Sequence, residues 1–149
     1  MRAVVTRVQN ASVTVDGNVT GQIGKGFLIL LGITHDDTPA LCRKLAEKVL
    51  GLRIFTDETD KMNKGLADVG GEVLVVSQFT LYGDCSHGRR PSFTNAAPPT
   101  LAIPLYEQFL EECRRLGFEP QHGIFGAHME VASINDGPVT MIVDTEDLK

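Results

Sequence analysis

The stretch Val73-Leu74-Val75-Val76-Ser77-Gln78-Phe79-Thr80-Leu81-Tyr82 starts as an apolar strand and becomes polar after Val76. Consecutive Val and Leu residues are typical of a strand that is buried on both faces. Where such a strand runs off its sheet, successive backbone N–H groups lose their partners. Two or three of these donors in a fixed arc can stabilise an oxyanion without an ionisable side chain. The segment from Ser77 to Tyr82 is therefore a candidate site, and a strand followed by an ordinary turn is the alternative interpretation.

A second polar segment, Asn135-Asp136-Gly137-Pro138-Val139-Thr140, lies between the apolar stretches 129–134 and 141–143. Its composition is typical of a reverse turn between two strands. The sequence does not fix the isomer of the Gly137–Pro138 peptide bond. Like the first segment, this one contains no His, no Cys and no pair of carboxylates. A site built from the two segments would therefore act through backbone groups and hydroxyls.

The size and charge of the chain limit what it can bind. Its 149 residues fit one domain that spans residues 1–149. The net charge of −5 argues against a broad electrostatic contact with nucleic acid. A small basic patch remains compatible with that charge, and His87-Gly88-Arg89-Arg90 is the candidate for it, with Lys61 and Lys64 as possible neighbours.

Several features favour a cytoplasmic protein that does not enter a membrane. No apolar stretch approaches the roughly 18 residues that a bilayer-spanning helix needs. Residues 1–8 alternate in polarity and carry charge, which is unlike a signal peptide. Cys42, Cys85 and Cys113 are odd in number and far apart, which favours free thiols in a reducing compartment. Cys42 and Cys113 fall in helical patterns and are expected to be packed in the interior.

The polarity patterns predict a mixed α/β fold with a largely antiparallel sheet and two main helices. We expect the first third of the chain to be an antiparallel meander with a tight turn at Asp16-Gly17-Asn18. Its predicted strands cover residues 2–8, 11–16, 19–23 and 27–33. Later strands are predicted at 53–55 and 72–78, with one or two more within 121–143.

Two amphipathic patterns predict the helices. Thr38 and Pro39 supply an N-cap and a first-turn residue for a helix that ends at Gly51. The second helix is predicted to run from an N-cap at Thr100 to Leu116. The connection before it, residues 83–99, is longer than ordinary loops and is expected to be functional.

Side-chain catalysis and phosphate binding are poorly supported. Ser77, His87 and Asp84 suggest a catalytic triad, but no Gly-x-Ser-x-Gly elbow surrounds the serine. The glycine-rich stretch 21–26 lacks the helix that would receive a phosphate.

Metal ligands are also poorly supported. His122 and His128 are spaced by six residues, which suits no common helical ligand pattern. The polar stretch 35–37 is explained more simply as the loop that leads into the Thr38 cap. We therefore expect no metal and no cofactor.

Four ordered segments match one known family. They are Ser77-Gln78-Phe79-Thr80-Leu81-Tyr82, Arg90-Pro91-Ser92-Phe93, Gly123-Ile124-Phe125-Gly126-Ala127 and Asn135-Asp136-Gly137-Pro138-Val139-Thr140. With these segments, the chain closely resembles the D-aminoacyl-tRNA deacylase family over nearly its whole length. The resemblance implies that family's fold and a homodimer with active sites at the subunit interface. It also implies hydrolysis of the ester that joins a D-amino acid to the 3′ end of tRNA.

The resemblance further implies a role for individual residues. Residues expected to be catalytic are Ser77, Gln78, Phe79 and Thr80. Gly137 and Pro138 are expected to form a cis pair that reaches into the partner's pocket and leaves no room for an L side chain. Achiral glycine would pass this selector, so glycyl-tRNA is an expected second substrate. Residues expected to contact the substrate are Phe79, Arg89, Arg90, Ala127, Met129 and Asn135.

Two mechanisms fit these residues. An ester is already activated, so a positioned water and oxyanion donors can suffice. The N–H groups within 77–80 would supply the donors, with help from the neighbouring 2′-OH of the tRNA. Nucleophilic attack by Thr80 is the rival mechanism. Two departures from the family pattern stand beside these residues: Ser86-His87 where relatives often carry basic residues, and His128 where an acidic residue is expected.

Two other functions remain open. One is the editing of a mischarged L-aminoacyl-tRNA on the same fold. The other is a non-catalytic module that binds the 3′ end of tRNA.

Overall fold

A computed structural model describes residues 1–149 as one sheet with helices on one face, plus a small hairpin. The elements in chain order are β1 (Arg2–Val15), β2 (Asn18–Ile23), β3 (Gly26–Gly32), α1 (Pro39–Leu50), β4 (Phe55–Thr56), β5 (Met62–Lys64), α2 (Leu66–Val69), β6 (Glu72–Ser77), α3 (Pro99–Arg115), β7 (Gln121–His122) and β8 (Glu130–Asp144). Two short 3-10 turns, Phe79–Tyr82 and Thr145–Asp147, follow β6 and β8. None of the helices is long and apolar enough to span a bilayer.

The main sheet has the strand order β2-β1-β3-β6-β7, and β8 also pairs with β1. β1 is antiparallel to β2, β3 and β8, whereas β6 is parallel to both β3 and β7. The connection from β3 to β6 contains α1, which is the usual way to join parallel neighbours. The predicted α/β class, with a mostly antiparallel sheet and two main helices, is confirmed.

β1 is one strand, and the prediction of two separate strands at 2–8 and 11–16 is wrong. Its first half pairs with β3 and its second half with β2, while β8 follows it from Arg2↔Asp144 to Thr14↔Glu130. The exposed Gln9 and Asn10 suggested a break in the sequence. Register shifts on either side of Val8 absorb that irregularity, so β1 continues. The turn after it is confirmed, since Asp16 and Gly17 both have the positive φ of a tight hairpin turn.

β8 is also continuous, so the interpretation of residues 135–138 as a reverse turn between two strands is wrong. Both halves of β8 bond to the same neighbour, β1. Thr6 of β1 pairs with Thr140 of β8, and the next pair is Val8 with Asn135. The same interval thus holds more residues on β8 than on β1. The surplus residues of β8 therefore bulge out of the sheet instead of reversing the chain.

The core lies between the sheet and the two long helices. Phe27, Ile29, Val73 and Val75 face the helices, and Phe109 of α3 packs on the same cluster. The alternate residues of β3 and β6 point to the opposite face of the sheet, where they form a second, smaller cluster. The prediction that residues 72–78 form a strand buried on both faces is thus confirmed for β6. This burial on both faces fixes the position of its polar end.

The start of α1 follows the sequence prediction, and the start of α3 does not. The Thr38 hydroxyl accepts the N–H of Leu41 at 3.3 Å and caps α1, as predicted. α3 begins at Pro99, and Pro98 occupies its cap position without a side-chain hydrogen bond. Proline is pre-organised for the first helical position, so the helix starts before Thr100. The predicted Thr100 cap is therefore wrong.

The two helical cysteines lie in the core, as predicted. Cys42 on α1 and Cys113 on α3 are free thiols without solvent exposure. Burial raises the pKa of each thiol to about 12, so both stay protonated and inert. Cys85, in the 83–98 loop, is exposed.

Candidate active site

A pocket of about 240 Å³ opens beside the end of β6. Ten of its fourteen lining residues are hydrophobic. The lining residues are Leu31, Ile33, Val76, Ser77, Gln78, Phe79, Ala97, Ala102, Phe125, Gly126, Ala127, His128, Met129 and Val131. His128 is the one ionisable side chain in this lining, so the pocket offers almost no side-chain acid or base.

The parallel ladder between β3 and β6 ends at this pocket. The N–H of Gln78 donates to the carbonyl of Leu31 at 2.8 Å, which is the last bond between this segment and β3. The chain then enters the 3-10 turn, where Leu81 N–H donates to Gln78 O and Gly83 N–H to Thr80 O. The N–H groups of Phe79 and Thr80 precede the first donor of the turn, so neither takes part in its hydrogen bonds. Two successive N–H groups without an acceptor within the chain thus follow the end of β6, where Phe79 lines the pocket and Thr80 lies just outside it.

The Phe79 ring stands at the rim of the pocket and packs against the following loop. It is 57% exposed and meets Phe93 edge to face, with ring centroids 5.2 Å apart. Hydrogen bonds to the segment after β3 hold that loop: Ala97 N–H donates to Ile33 O at 2.9 Å, and the Thr34 hydroxyl donates to Asn95 O at 2.6 Å. The long connection is therefore held beside the site, where it contributes Ala97 to the pocket lining and Phe93 to the contact with Phe79.

Arg89 and Arg90 lie further out in the same loop. Both are exposed, and neither forms a hydrogen bond or an ion pair. An antiparallel bridge between Asp84 and Ser92 closes the loop beneath them. The two guanidinium groups are therefore free to meet an anion outside the pocket.

No catalytic triad forms at Ser77. The Asp84 carboxylate accepts the N–H of Ser86 at 2.9 Å, and no hydrogen bond joins Ser77, His87 and Asp84. Thr80 likewise has no basic partner, because its hydroxyl is hydrogen-bonded to the side-chain amide of Gln78. The chain also holds no group of three His, Cys, Asp or Glu side chains arranged to bind a metal ion.

The bulged segment of β8 is held from below by Arg7. This side chain is buried; its Nε donates to Asp136 O at 3.0 Å and its Nη1 to Ile54 O at 2.7 Å. Gly137 has a φ of +136° and a Cβ there would lie 3.0 Å from Nη2 of Arg7, so only glycine fits. The Gly137–Pro138 peptide bond is cis.

Asn135 closes the same segment from within. Its Oδ1 accepts Val139 N–H at 3.0 Å, and its Nδ2 donates to the Thr140 hydroxyl at 3.2 Å. Gly137 and Pro138 remain exposed at the outer side of this loop. Neither residue lines the pocket of its own chain.

Comparison with known proteins decides the family. The family model described as D-Tyr-tRNA(Tyr) deacylase matches residues 4–144. A protein of Clostridioides difficile strain 630 named D-aminoacyl-tRNA deacylase is 57% identical, with 97% of each chain covered. A protein of the same name from Thermus aquaticus is 56% identical over 99% of this chain and 97% of its own.

This chain belongs to the D-Tyr-tRNA(Tyr) deacylase family. A solved structure titled c-Myc DNA Unwinding Element Binding Protein has a TM-score of 0.91 and 42% identity, and 97% of this chain and 98% of that one are covered. A second one, titled as a structural analysis of a probable eukaryotic D-amino acid tRNA deacylase, has a TM-score of 0.81 at 18% identity and covers 95% of this chain. The predicted family and its fold are both confirmed.

The structure brings some of the residues expected from the deacylase resemblance together and leaves others apart. Ser77, Gln78, Phe79, Ala127 and Met129 line the one pocket. The expected residues outside it are Thr80, Arg89, Arg90, Asn135, Gly137 and Pro138.

Sequence reasoning missed one wall of the deacylase pocket. Leu31 at the end of β3 and Ile33 just after it reach the site because β3 pairs with β6. Ala97 comes from the loop before α3, and Ala102 from the first turn of α3. No local pattern marks these residues. Phe125 was within reach, since it belongs to a segment that carries the family resemblance.

Arg7→Ala is expected to lower the free energy of unfolding of this deacylase by about 2–4 kcal/mol, because two carbonyl acceptors lose their partner below the surface. Urea unfolding followed by circular dichroism measures the change. Arg43→Ala is the matched control, because Arg43 pairs with Glu47 at an exposed position of α1 and should matter little. An equally small effect of both substitutions would contradict the assignment of Arg7 as the support of the bulge.

Proposed function

We propose that this protein is a D-aminoacyl-tRNA deacylase, a hydrolase that cleaves the ester between a D-amino acid and the 3′-terminal adenosine of tRNA. The observation that carries the proposal is the pair of free N–H groups at Phe79 and Thr80 beside an apolar pocket, in a chain of this family. Glycyl-tRNA is the second proposed substrate, since glycine has no side chain for a chiral selector to reject.

The proposed chemistry needs no ionisable residue of the protein. A water molecule attacks the ester carbonyl carbon, and the carbonyl oxygen becomes an oxyanion that accepts hydrogen bonds from the N–H groups of Phe79 and Thr80. The ribose 2′-OH next to the ester orients the water and relays its proton. The tetrahedral intermediate then collapses, the ribose 3′-oxygen leaves with a proton, and the free amino acid is released.

The surroundings of Thr80 favour this mechanism over nucleophilic attack by its hydroxyl. A nucleophilic hydroxyl needs a general base within about 2.6–3.2 Å. The partner of this hydroxyl is the Gln78 amide, which is no base. Backbone donors fixed at the end of a strand are already oriented, so they cost no reorganisation during the reaction.

Chiral selection is proposed to come from a second copy of the chain. Gly137 and Pro138 are exposed and lie outside the pocket of their own chain, so a contact with a pocket requires a partner. A wedge fixed by Arg7 and Asn135 would reject an L side chain by steric exclusion, which discriminates more strongly than the loss of an apolar contact.

A homodimer is supported by the surface of β8. One edge of this long strand pairs with β1, and the other edge has no partner within the chain. Its apolar side chains Val131, Ile134 and Ile142 are 40%, 52% and 73% exposed. An open strand edge with exposed apolar side chains is a typical interface for a second subunit.

Recognition of the substrate is proposed to involve only the 3′ end of the tRNA. Phe79 offers an exposed aromatic face for base stacking, and Ala127 and Met129 shape the apolar pocket beside it. Asn135 holds the Gly137–Pro138 wedge in place, and we propose that it comes near the substrate when the wedge enters the partner's pocket. Arg89 and Arg90 would meet phosphates outside the pocket, which fits a contact small enough for a chain of net charge −5.

Matched D-tyrosyl-, L-tyrosyl- and glycyl-tRNA substrates test the function directly. We expect the D-tyrosyl ester to be hydrolysed faster than the L-tyrosyl ester by a factor of about 100 or more, since steric exclusion acts on the L side chain alone. Single-turnover deacylation rates measure this ratio. Faster hydrolysis of an L ester would indicate the editing of mischarged L-aminoacyl-tRNA, and binding without hydrolysis would indicate a 3′-end binding module.

Thr80→Ala is expected to retain at least about one third of the wild-type rate, because the variant keeps its backbone N–H. The same single-turnover assay measures it, with Thr94→Ala in the neighbouring loop as the control. Loss of activity by a factor of about 1,000 in Thr80→Ala alone would favour the nucleophilic mechanism instead.

Pro138→Ala is expected to lower the ratio of D- to L-tyrosyl-tRNA hydrolysis at least about tenfold, because the wedge loses its ring. Ser133→Ala, an exposed change on the same strand, should leave the ratio unchanged. A wild-type ratio in Pro138→Ala would count against the selector.

Subunit mixing tests whether the wedge acts on the partner's pocket. A purified heterodimer of a Pro138→Ala chain and a Phe79→Ala chain carries its one pocket with Phe79 and its one intact wedge on different chains. The Phe79→Ala pocket keeps its backbone N–H but is expected to bind the tRNA 3′ end weakly, because it lacks the stacking ring. If the wedge acts across the interface, this heterodimer recovers the wild-type D/L ratio. If it acts within one chain, the heterodimer stays as unselective as Pro138→Ala.

A further inference from the structure

Arg2 connects the start of β1 to the turn that ends β6. Its Nη1 donates to the carbonyl of Leu81 at 2.8 Å, and its Nε donates to Asp144 Oδ2 at 2.8 Å. The guanidinium carbon also lies 4.7 Å from the centroid of the Tyr82 ring, a cation–π distance. One side chain thus joins the catalytic turn, the end of β8 and an aromatic ring.

The turn is held at both of its ends. Before the turn, Gln78 N–H is bonded to Leu31 O on β3. Near its far end, the Leu81 carbonyl accepts a hydrogen bond from Arg2. The only other side chain from outside residues 79–82 that hydrogen-bonds to them is that of Gln78, which contacts the Thr80 hydroxyl. Between these anchors lie Phe79 and Thr80 with their free N–H groups.

The turn also rests directly on the backbone of β3. A Cβ built at Gly32 would lie 3.0 Å from the Cβ of Leu81 and 3.3 Å from the carbonyl oxygen of Gln78. No side chain of β3 separates the turn from the strand at this point. The turn therefore cannot move closer to β3, and the Arg2 bond opposes a shift in other directions.

We propose that Arg2 is a positioning residue for the deacylation site. It holds the Leu81 carbonyl and thereby fixes the direction in which the Phe79 and Thr80 N–H groups point. Oxyanion donors must be placed within about 0.5 Å of the productive geometry to be effective. Arg2 acts through the turn and does not touch the substrate. This inference rests on the proposed function.

The planar guanidinium is suited to this task. Its fork reaches Leu81 O and the Asp144 carboxylate at the same time, with its plane beside the Tyr82 ring. A lysine at this position carries the same charge but only one ammonium centre, so it cannot reproduce the fork. Arg2→Lys therefore disturbs the geometry and keeps the charge.

Asp144 supplies the matched control. Asp144→Asn removes the ion pair with Arg2 and its hydrogen bond to Nε, but it leaves the Arg2 bond to Leu81 in place. The amide oxygen of Asn can still accept the Glu146 N–H that Asp144 Oδ1 accepts at 3.0 Å. This variant should lose stability without loosening the turn.

The kinetic test compares wild type, Arg2→Lys and Asp144→Asn on D-tyrosyl-tRNA, well below their melting temperatures. In Arg2→Lys we expect kcat to fall about tenfold, which corresponds to about 1.4 kcal/mol, while KM changes less than about twofold. Asp144→Asn should keep kcat within about threefold of wild type even where its Tm is lower. A wild-type kcat in Arg2→Lys would overturn the proposal. It would also be overturned if kcat fell in both variants in proportion to their loss of Tm.

Hydrogen exchange separates this inference from the function on which it rests. Amide exchange of the peptide that covers residues 78–83 should speed up at least about tenfold in Arg2→Lys and stay near wild type in Asp144→Asn. If the wild-type protein hydrolyses no aminoacyl-tRNA, the proposed function fails, and exchange alone decides whether Arg2 holds the turn. Equal exchange in all three proteins would overturn the inference even if the enzyme is active.

Discussion

The hydrogen bond between Gln78 N–H and the Leu31 carbonyl is the constraint on which the site depends. It is the last bond of the parallel ladder between β3 and β6, so the sheet stops supplying partners at the next residue. Both strands are buried on both faces, and a slip of one residue would move every side chain to the wrong face. The packing of the core therefore fixes which two N–H groups are left free beside the pocket.

β1 connects the two polar segments of the molecule. Near its start, Arg2 bonds to the turn that follows β6; further along, Arg7 bonds to the bulge in β8. Both arginines reach backbone carbonyls instead of the pocket itself. One strand thus holds both the turn that carries the proposed oxyanion donors and the Gly137–Pro138 segment that is the proposed wedge.

The pocket favours chemistry by backbone dipoles. Apart from His128 its lining carries no ionisable group, and most of the wall is apolar. Burial raises the pKa of Tyr82, whose ring lies beside the Arg2 guanidinium. In surroundings of low polarity an N–H donor acts more strongly than in water.

The sequence by itself determined the features that have local causes. The Thr38 cap, the turn at Asp16-Gly17 and the double burial of β6 each follow from a few adjacent residues, and the polar residues after Val76 already marked the site. The start of α3 also has a local cause, because Pro99 is pre-organised for the first helical position and the helix therefore begins before Thr100.

Only the tertiary structure decided what depends on distant partners. β8 continues through 135–140 because β1 pairs with both of its halves, and no residue within the segment announces that pairing. Leu31 and Ile33 enter the pocket for the same reason, through the register of β3 against β6. Strand pairing is settled by hydrogen bonds and packing between residues far apart along the chain, so it leaves no signature in a short stretch of sequence.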